Sequence, residues 1–204
     1  MPTDENLTKR ACTTILTSIN LSSQLLSSKE IDFRALLQLS TVHSSAAWPA
    51  STLLVLWQTP SVHWMKANTD GSVVNMSAAS GGLFRDYMAN FCRGFAQNIS
   101  GVSVLHDEIV ALILAMELAH KNKWHYLWVE SDCVATISAF DNINIVPWDL
   151  RNRWSNCLHL HLTMRWSHIY GEGNACADKF ATLGHMHTQM RWWGLPSVVR
   201  DNFL

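Results

Sequence analysis

The run Trp64-Met65-Lys66-Ala67-Asn68-Thr69-Asp70-Gly71-Ser72-Val73-Val74 alternates well enough for a β-strand. Met65, Ala67 and Thr69 then share one face, and Lys66, Asn68 and Asp70 the other. Gly81-Gly82-Leu83-Phe84-Arg85 and Phe91–Phe95 predict two further strands, with a turn near Met88–Asn90, and three sequential strands with short connections make an antiparallel meander. A long helix follows over Ser103–Lys121. It is led by Asp107-Glu108 and followed by Lys121 and Lys123, a polarity that suits the helix dipole. Tyr126–Glu130 is a short apolar run of strand type, Cys133–Phe140 a short helix, and Pro147 breaks the chain before a helix at Leu150–Leu160. Met164–Tyr170 predicts the last strand and Asn174–Met186 the last helix. The order β-β-β-α-β-α-α-β-α belongs to the α/β class: a five-stranded mixed sheet, three antiparallel strands with parallel additions, and helices on both faces.

Working outward, the compact domain spans residues 62–188. Ser18–Ser28 is rich in Ser, Leu and Asn, Ser44–Thr52 mixes Ser, Ala, Thr and Pro, and only weak helical periodicity shows at Ile31–Leu39. Residues 1–61 therefore read as a poorly ordered or loosely docked leader, with Gln58-Thr59-Pro60-Ser61 as linker, and 189–204 as a C-terminal tail. A chain of 204 residues suits one domain plus extensions, and 48% hydrophobic with 15% charged residues describes a globular protein. The net charge of -1 gives no sign of a strongly basic nucleic-acid binder, though a neutral total can hide a local basic patch and a metal-loaded acidic site brings its own positive charge. The five cysteines (Cys12, Cys92, Cys133, Cys157, Cys176) form no C-x-x-C pair, so neither a zinc ribbon nor a disulfide framework is indicated. No apolar run reaches membrane-span length and no signal-peptide pattern opens the chain, so an intracellular protein, monomeric by default, is expected.

Four carboxylates stand where core building would not put them. Asp70 lies in the first strand, although Asp-Gly-Ser also suits a turn. Glu108 shares a helical face with Val104, Leu105, Ala111, Leu112 and Ala115, so it points toward the core; it needs a cation, a metal or a raised pKa there, unless it serves only the helix dipole. Asp132 follows an apolar strand at its C-terminal end, where open α/β sheets place their sites, and it could equally cap the helix at Cys133. Asp178 sits early in the last helix, also a favourable place for an acid. If the four converge, like charges so close require cations; hard oxygen ligands suit Mg²⁺, and two such ions suit in-line phosphodiester displacement.

The series Trp64–Ser72, Gly81-Gly82-Leu83-Phe84-Arg85-Asp86, Asp107-Glu108-Ile109-Val110-Ala111-Leu112, Glu130-Ser131-Asp132 and His168–Asp178 resembles the RNase H type-1 family. It is most similar to the plant reverse-transcriptase-like branch found at the ends of non-LTR retrotransposon polyproteins. The resemblance covers about residues 62–186 and implies an RNase H-like fold that cuts the RNA strand of RNA–DNA hybrids. It implies Asp70, Glu108, Asp132 and Asp178 as catalytic ligands of two Mg²⁺ ions, with Mn²⁺ a possible substitute and no small-molecule cofactor. It implies His168, ten residues before Asp178, as the histidine that aids proton transfer or product release. Gly71, Ser72, Gly81 and Gly82 would let the backbone approach the hybrid, and Asn174 would contact nucleic acid or steady its loop. Two departures stand out: Asp107 replaces a small residue before Glu108, and Gly171 stands where relatives carry an Arg. The basic protrusion of some relatives has no counterpart.

Other readings compete. The same fold could be a domesticated, catalytically silent module that binds nucleic acid or protein. Zinc binding through His159-x-His161 and His185-x-His187 is disfavoured, because i and i+2 do not face each other on a helix. The ten tryptophans suit core packing better than base stacking, and Trp192-Trp193 would cap the domain or dock on a partner.

Overall fold

The computed structural model describes residues 57–99 and 103–193. The reading of Ile31–Leu39 and most of the leader lie outside them. Strand β1 (Met65–Val74) pairs antiparallel with β2 (Ser77–Arg85), and β2 with β3 (Phe91–Ile99). The β1–β2 turn is the pair Asn75 and Met76, both left-handed (φ 48° and 64°), the two-residue geometry whose twist matches the flanking strands. Asp70 therefore lies within β1 and not in a turn. Between β2 and β3, Asp86 Oδ1 accepts from the backbone N–H groups of Met88 and Asn90, 2.9 Å each.

Helix α1 (Val104–Lys121) starts at Ser103, whose Oγ accepts from His106 N–H at 3.2 Å. It leads to β4 (Tyr126–Ser131), α2 (Val134–Ser138), a 3₁₀ turn (Ile143–Ile145), α3 (Arg151–Leu158), β5 (Thr163–His168) and α4 (Gly171–Gly184). β4 runs parallel to both β1 and β5. β4 is a central strand, and its Leu127 and Val129 are wholly buried on the face that packs with α1. A short strand β6 (Arg191–Trp193) pairs with β3, giving the order β5-β4-β1-β2-β3-β6.

The α/β class and the mixed sheet stand as expected, but the described residues form six strands, not five. The tail expected from residue 189 begins inside the sheet: Trp192 packs edge-on to Phe84, with ring centroids 5.8 Å apart. At the other end, Gln58–Ser61 is not a free linker. Trp57 and Pro60 are buried, and the Gln58 carbonyl accepts from Lys66 Nζ at 2.7 Å.

Helices cover both faces. Ala67, Phe84, Phe95, Leu127, Val129 and Trp154 pack with α1 on one side; Leu83, Ala96, Ala177, Phe180 and Leu183 gather under α4 on the other. Burial along α1 is unbroken from Asp107 to Met116, while Val104 is exposed. The narrow apolar face expected around Glu108 was thus too small, because α1 is enclosed on nearly every side.

On the α4 side, β1 carries Lys66 and Asn68 into the interior. Lys66 Nζ meets Glu130 Oε1 at 2.8 Å and lies over the rings of Trp128 (3.8 Å to the centroid) and Trp57 (4.7 Å). Burial lowers its pKa to about 8 even so, with Glu130 opposing the shift. Removing one partner of a buried pair strands the other charge, so Lys66→Met is expected to cost about 3–5 kcal/mol in urea unfolding. Adding Glu130→Gln should recover much of it; an undiminished loss in the double variant would mean the ion pair is not the source.

Candidate metal centre

Sheet register brings the first two acids together. β1 pairs with β4 so that Asn68 lies opposite Glu130, and two residues further along both strands come Asp70 and Asp132. Helix α1 supplies the third. Its first turns abut β1 at Gly71, where a Cβ would stand 2.8 Å from the Glu108 backbone nitrogen, so only glycine admits the approach. Carboxylate oxygens of Asp70, Glu108 and Asp132 all lie within 4.8 Å of one another.

The electrostatics follow from this crowding. Burial, and then the charge of Asp132, push the Asp70 carboxyl up to about 7. Burial and the charge of Asp70 push Glu108 up to about 9. Ser131 Oγ donates to Glu108 Oε2 at 3.3 Å, and the Asp70 and Glu108 carboxyl groups share a hydrogen bond. Lys66, a cation on the same face of β1 as Asp70, is occupied by Glu130. Three hard oxygen donors held on β1, just past β4 and on α1, with burial and neighbouring charge raising the proton affinity of Asp70 and Glu108, fit a divalent cation of the Mg²⁺ kind.

Asp132 does not cap α2. That helix begins at Val134, its N-cap Cys133 makes no side-chain cap bond, and Ser131 Oγ accepts the Cys133 N–H at 3.0 Å. Asp132 turns instead to α4, whose start at Gly171 precedes the expected Asn174 by three residues. Asp132 Oδ2 lies 3.3 Å from where a Gly171 Cβ would stand, placing the anion at the positive end of that helix. Asn174 donates from Nδ2 to Asp132 Oδ1 at 3.2 Å and to the Thr69 carbonyl at 2.9 Å.

The structure does not join Asp178 to the other three carboxylates. It is exposed on α4 (side chain 55%), 3.6 Å from Lys179 Nζ, although its charge still raises Asp70. His168 ends β5, and its Nε2 lies 3.0 Å from the Asp132 backbone oxygen. A carbonyl only accepts, so Nε2 donates to it, and Nδ1 lies outside that bond. Asp107 stands outside the cluster; its ion-pair partner is His106, 3.5 Å away, and burial raises its carboxyl to about 6.

The positions expected to meet nucleic acid divide. Gly81 and Gly82 are buried: a Cβ on Gly81 would fall 2.2 Å from the Ala181 nitrogen, and one on Gly82 2.6 Å from the Asn68 oxygen. They are packing positions, Gly81 beneath α4 and Gly82 against Phe95. Asn174 is likewise buried and steadies Asp132. Gly71 and Ser72 are half-buried at the rim, Ser72 Oγ paired with His185 Nε2 at 3.1 Å. Among the described residues the histidine pairs form no metal cluster: His161 lies beyond α3 in a left-handed turn (φ 55°), and His185 binds Ser72 and Ser77.

Sequence reading missed Asn68, Glu130 and Ser131 as supports. Their signal was available: Lys66, Asn68 and Asp70 put three polar side chains on one face of a strand that the topology buries, and each needs a partner there.

The structure is similar to RNase H1 of Halobacterium salinarum NRC-1 (TM-score 0.53, 18% identity, 59% of this chain and 96% of that one). It is also similar to the N-terminal RNase H domain of a Mycobacterium tuberculosis protein (TM-score 0.54, 17% identity, 61% and 94%). LC11-RNase H1, solved in complex with an RNA/DNA hybrid, superposes with a TM-score of 0.52 at 19% identity over 58% of this chain and 94% of that one. At these identities the likeness shows the fold, an RNase H fold. In sequence, the chain is 28% identical over 139 residues to an Arabidopsis thaliana protein named "Putative ribonuclease H protein"; the match takes in 65% of this chain and spans 22% of the length of that relative. The model of the reverse transcriptase-like family matches residues 68–184, more than half of the chain and every residue of the acidic cluster, and the protein belongs to that family.

Proposed function

We propose that this protein is a metal-dependent endonuclease that hydrolyses the RNA strand of RNA–DNA hybrids. The observation that carries the reading is the convergence of Asp70, Glu108 and Asp132 within 4.8 Å at the end of two parallel strands. These three would hold divalent cations, Mg²⁺ or Mn²⁺, and two bound ions would supply the charge that stabilises the attacking and leaving oxygens of the phosphodiester. Asp178, at the rim, would complete the ligand set from α4. His168 Nδ1, free of the Asp132 carbonyl, is placed to accept or release a proton at the edge of the site. Ser72 and the backbone at Gly71 border the same opening and suit a shallow groove in which 2′-hydroxyls distinguish RNA from DNA. Support also comes from a structural neighbour solved with an RNA/DNA hybrid. Among the described residues no helix is long and apolar enough to cross a membrane.

The purified chain should shorten labelled RNA in a hybrid with Mg²⁺ or Mn²⁺, stop on chelation and leave duplex DNA intact. A second reading, binding without cutting, is favoured by one observation: Asp178 is exposed and paired with Lys179. Hybrid binding by a wild type that never cuts under either metal would decide for that reading.

A further inference from the structure

We infer that Trp57, eleven residues before the matched family segment, is a positioning residue for Asp132, acting through Asn68 and Asn174. This rests on the metal-site reading of Asp132.

The chain of contacts is continuous and buried. Trp57 Nε1–H donates to Asn68 Oδ1 at 2.8 Å; Asn68 Nδ2 donates to Asn174 Oδ1 at 3.4 Å and to Glu130 Oε2 at 3.2 Å; Asn174 Nδ2 donates to Asp132 Oδ1 at 3.2 Å and to the Thr69 carbonyl at 2.9 Å. Asn68 and Asn174 are 2% and 1% exposed, so water cannot substitute for a lost partner at low cost.

Donor and acceptor logic gives the chain one direction. An indole N–H only donates, and a carboxylate or carbonyl oxygen only accepts. Asp132 and the Thr69 carbonyl require Asn174 to turn Nδ2 toward them, leaving its oxygen for Asn68. Asn68 must then present Nδ2 to Asn174 and Glu130, leaving Oδ1 for a donor. Trp57 is that donor. Every link is satisfied in this orientation, and reversing either amide would set oxygen against oxygen at one contact or more.

Trp57 is itself anchored. It packs with Ala89 and Ile169, and its ring lies under Lys66 Nζ (4.7 Å) and the Arg85 guanidinium (4.7 Å). Trp57, ahead of β1, thus commits its single polar group to the site's support.

Two measurements test the chain. In metal-free protein, Trp57→Phe, which keeps an aromatic ring and removes the N–H, should shift the side-chain amide resonances of both Asn68 and Asn174 in ¹H–¹⁵N spectra. This readout does not depend on catalysis or metal, so it separates failure of the relay from failure of the nuclease reading. The second is Mn²⁺ affinity by calorimetry in a double-mutant cycle. Loss of an outer-shell partner costs metal affinity at least about 10-fold in known sites, so Asn68→Ala should weaken Mn²⁺ by about 10-fold, and Trp57→Phe by a smaller factor in the same direction. In the Asn68→Ala background Trp57→Phe should have no further effect, since the link it fed is already gone. The inference is overturned if Trp57→Phe leaves the Asn174 amide where it was, or if it weakens Mn²⁺ equally in both backgrounds, as a general packing role would.

Discussion

Replacing Asp70 by Asn is expected to remove cleavage of the RNA strand while making the metal-free protein more stable near pH 8. The two effects have one cause. Asp70 is buried against Asp132 and Glu108, and its carboxyl is pushed up to about 7, first by burial and then by Asp132. Ionising it in the folded protein is therefore costly unless a cation is present. The amide keeps the shape and drops the charge. Metal-ion stabilisation of the reacting oxygens is worth several kcal/mol, so losing a central ligand should lower kcat/KM by about 10³-fold or more. Relief of the buried charge should stabilise the apo protein by on the order of 2 kcal/mol, seen as a Tm several degrees higher. Equal inactivity of wild type and variant, with both holding hybrid, would leave a binding module.

The same groups set the direction of the pH dependence. A carboxylate whose folded pKa is raised holds a proton that the unfolded chain has already lost. Stability then falls as pH rises, because the native state binds more protons over that window. For Asp70 the window runs from about 4, the unfolded value, to about 7; for Glu108 it runs to about 9. Metal-free wild type should thus lose Tm steadily between pH 5 and pH 8, and Asp70→Asn should lose less. Millimolar Mg²⁺ should raise Tm strongly at pH 8 and little at pH 5, since protonated carboxylates do not bind it. A wild-type Tm that rose over that range without metal, in step with the variant, would show that the cluster carries no such strain.

Much of the fold was legible because its signals are local. Alternation in 64–74, the acidic start and basic end of 103–121, and the break at Pro147 each report a backbone preference that tertiary packing had no reason to override. What was misread depends on partners distant in sequence. Gln58–Ser61 has turn composition, yet Lys66 binds Gln58 within it and Asn68 binds Trp57 beside it. Trp192 and Trp193 looked like an appendage because a three-residue strand has no periodicity; only pairing with β3 makes it one. The site divides the same way. Glu108 stood out by its place on an apolar helical face and Asp132 by the end of an apolar strand, both local patterns, whereas Asp70 lay in a strand whose Asp-Gly-Ser also suited a turn. The family resemblance left Asn174 to contact nucleic acid or to steady its loop; the structure buries it on the side of α4 that faces Thr69 and Asp132, which no local pattern reports. Gly81 and Gly82 show the limit most clearly: a glycine marks close approach, and the sequence alone does not say of what.

Gly81→Ala should settle that question, with a large effect on folding. Gly81 pairs with Asp70 across β1 and β2, so both project to the side covered by α4. A methyl there would stand 2.2 Å from the Ala181 nitrogen and 2.4 Å from the Phe180 carbonyl carbon. Both are main-chain atoms, so no side-chain rotation relieves the overlap and α4 itself must lift. Phe180 also fills the space over Gly94, where a Cβ would meet its ring at 2.3 Å, so the helix cannot slide toward β3 instead. Overpacking a core commonly costs about 1–3 kcal/mol, and a clash with backbone on both sides belongs above that range. Loss of at least about 3 kcal/mol is expected in urea unfolding, with Mn²⁺ binding weakened in whatever remains folded, because lifting α4 withdraws Asn174 from Asp132. Gly171→Ala is the control. It lies at the exposed start of the same helix, its added methyl would meet only Asp132 Oδ2 at 3.3 Å, and its stability should stay within about 0.5 kcal/mol of wild type. If Gly81→Ala instead folded as stably as wild type and lost only its grip on hybrid, the glycine would be admitting nucleic acid after all, and the close contact with α4 would not be what it serves.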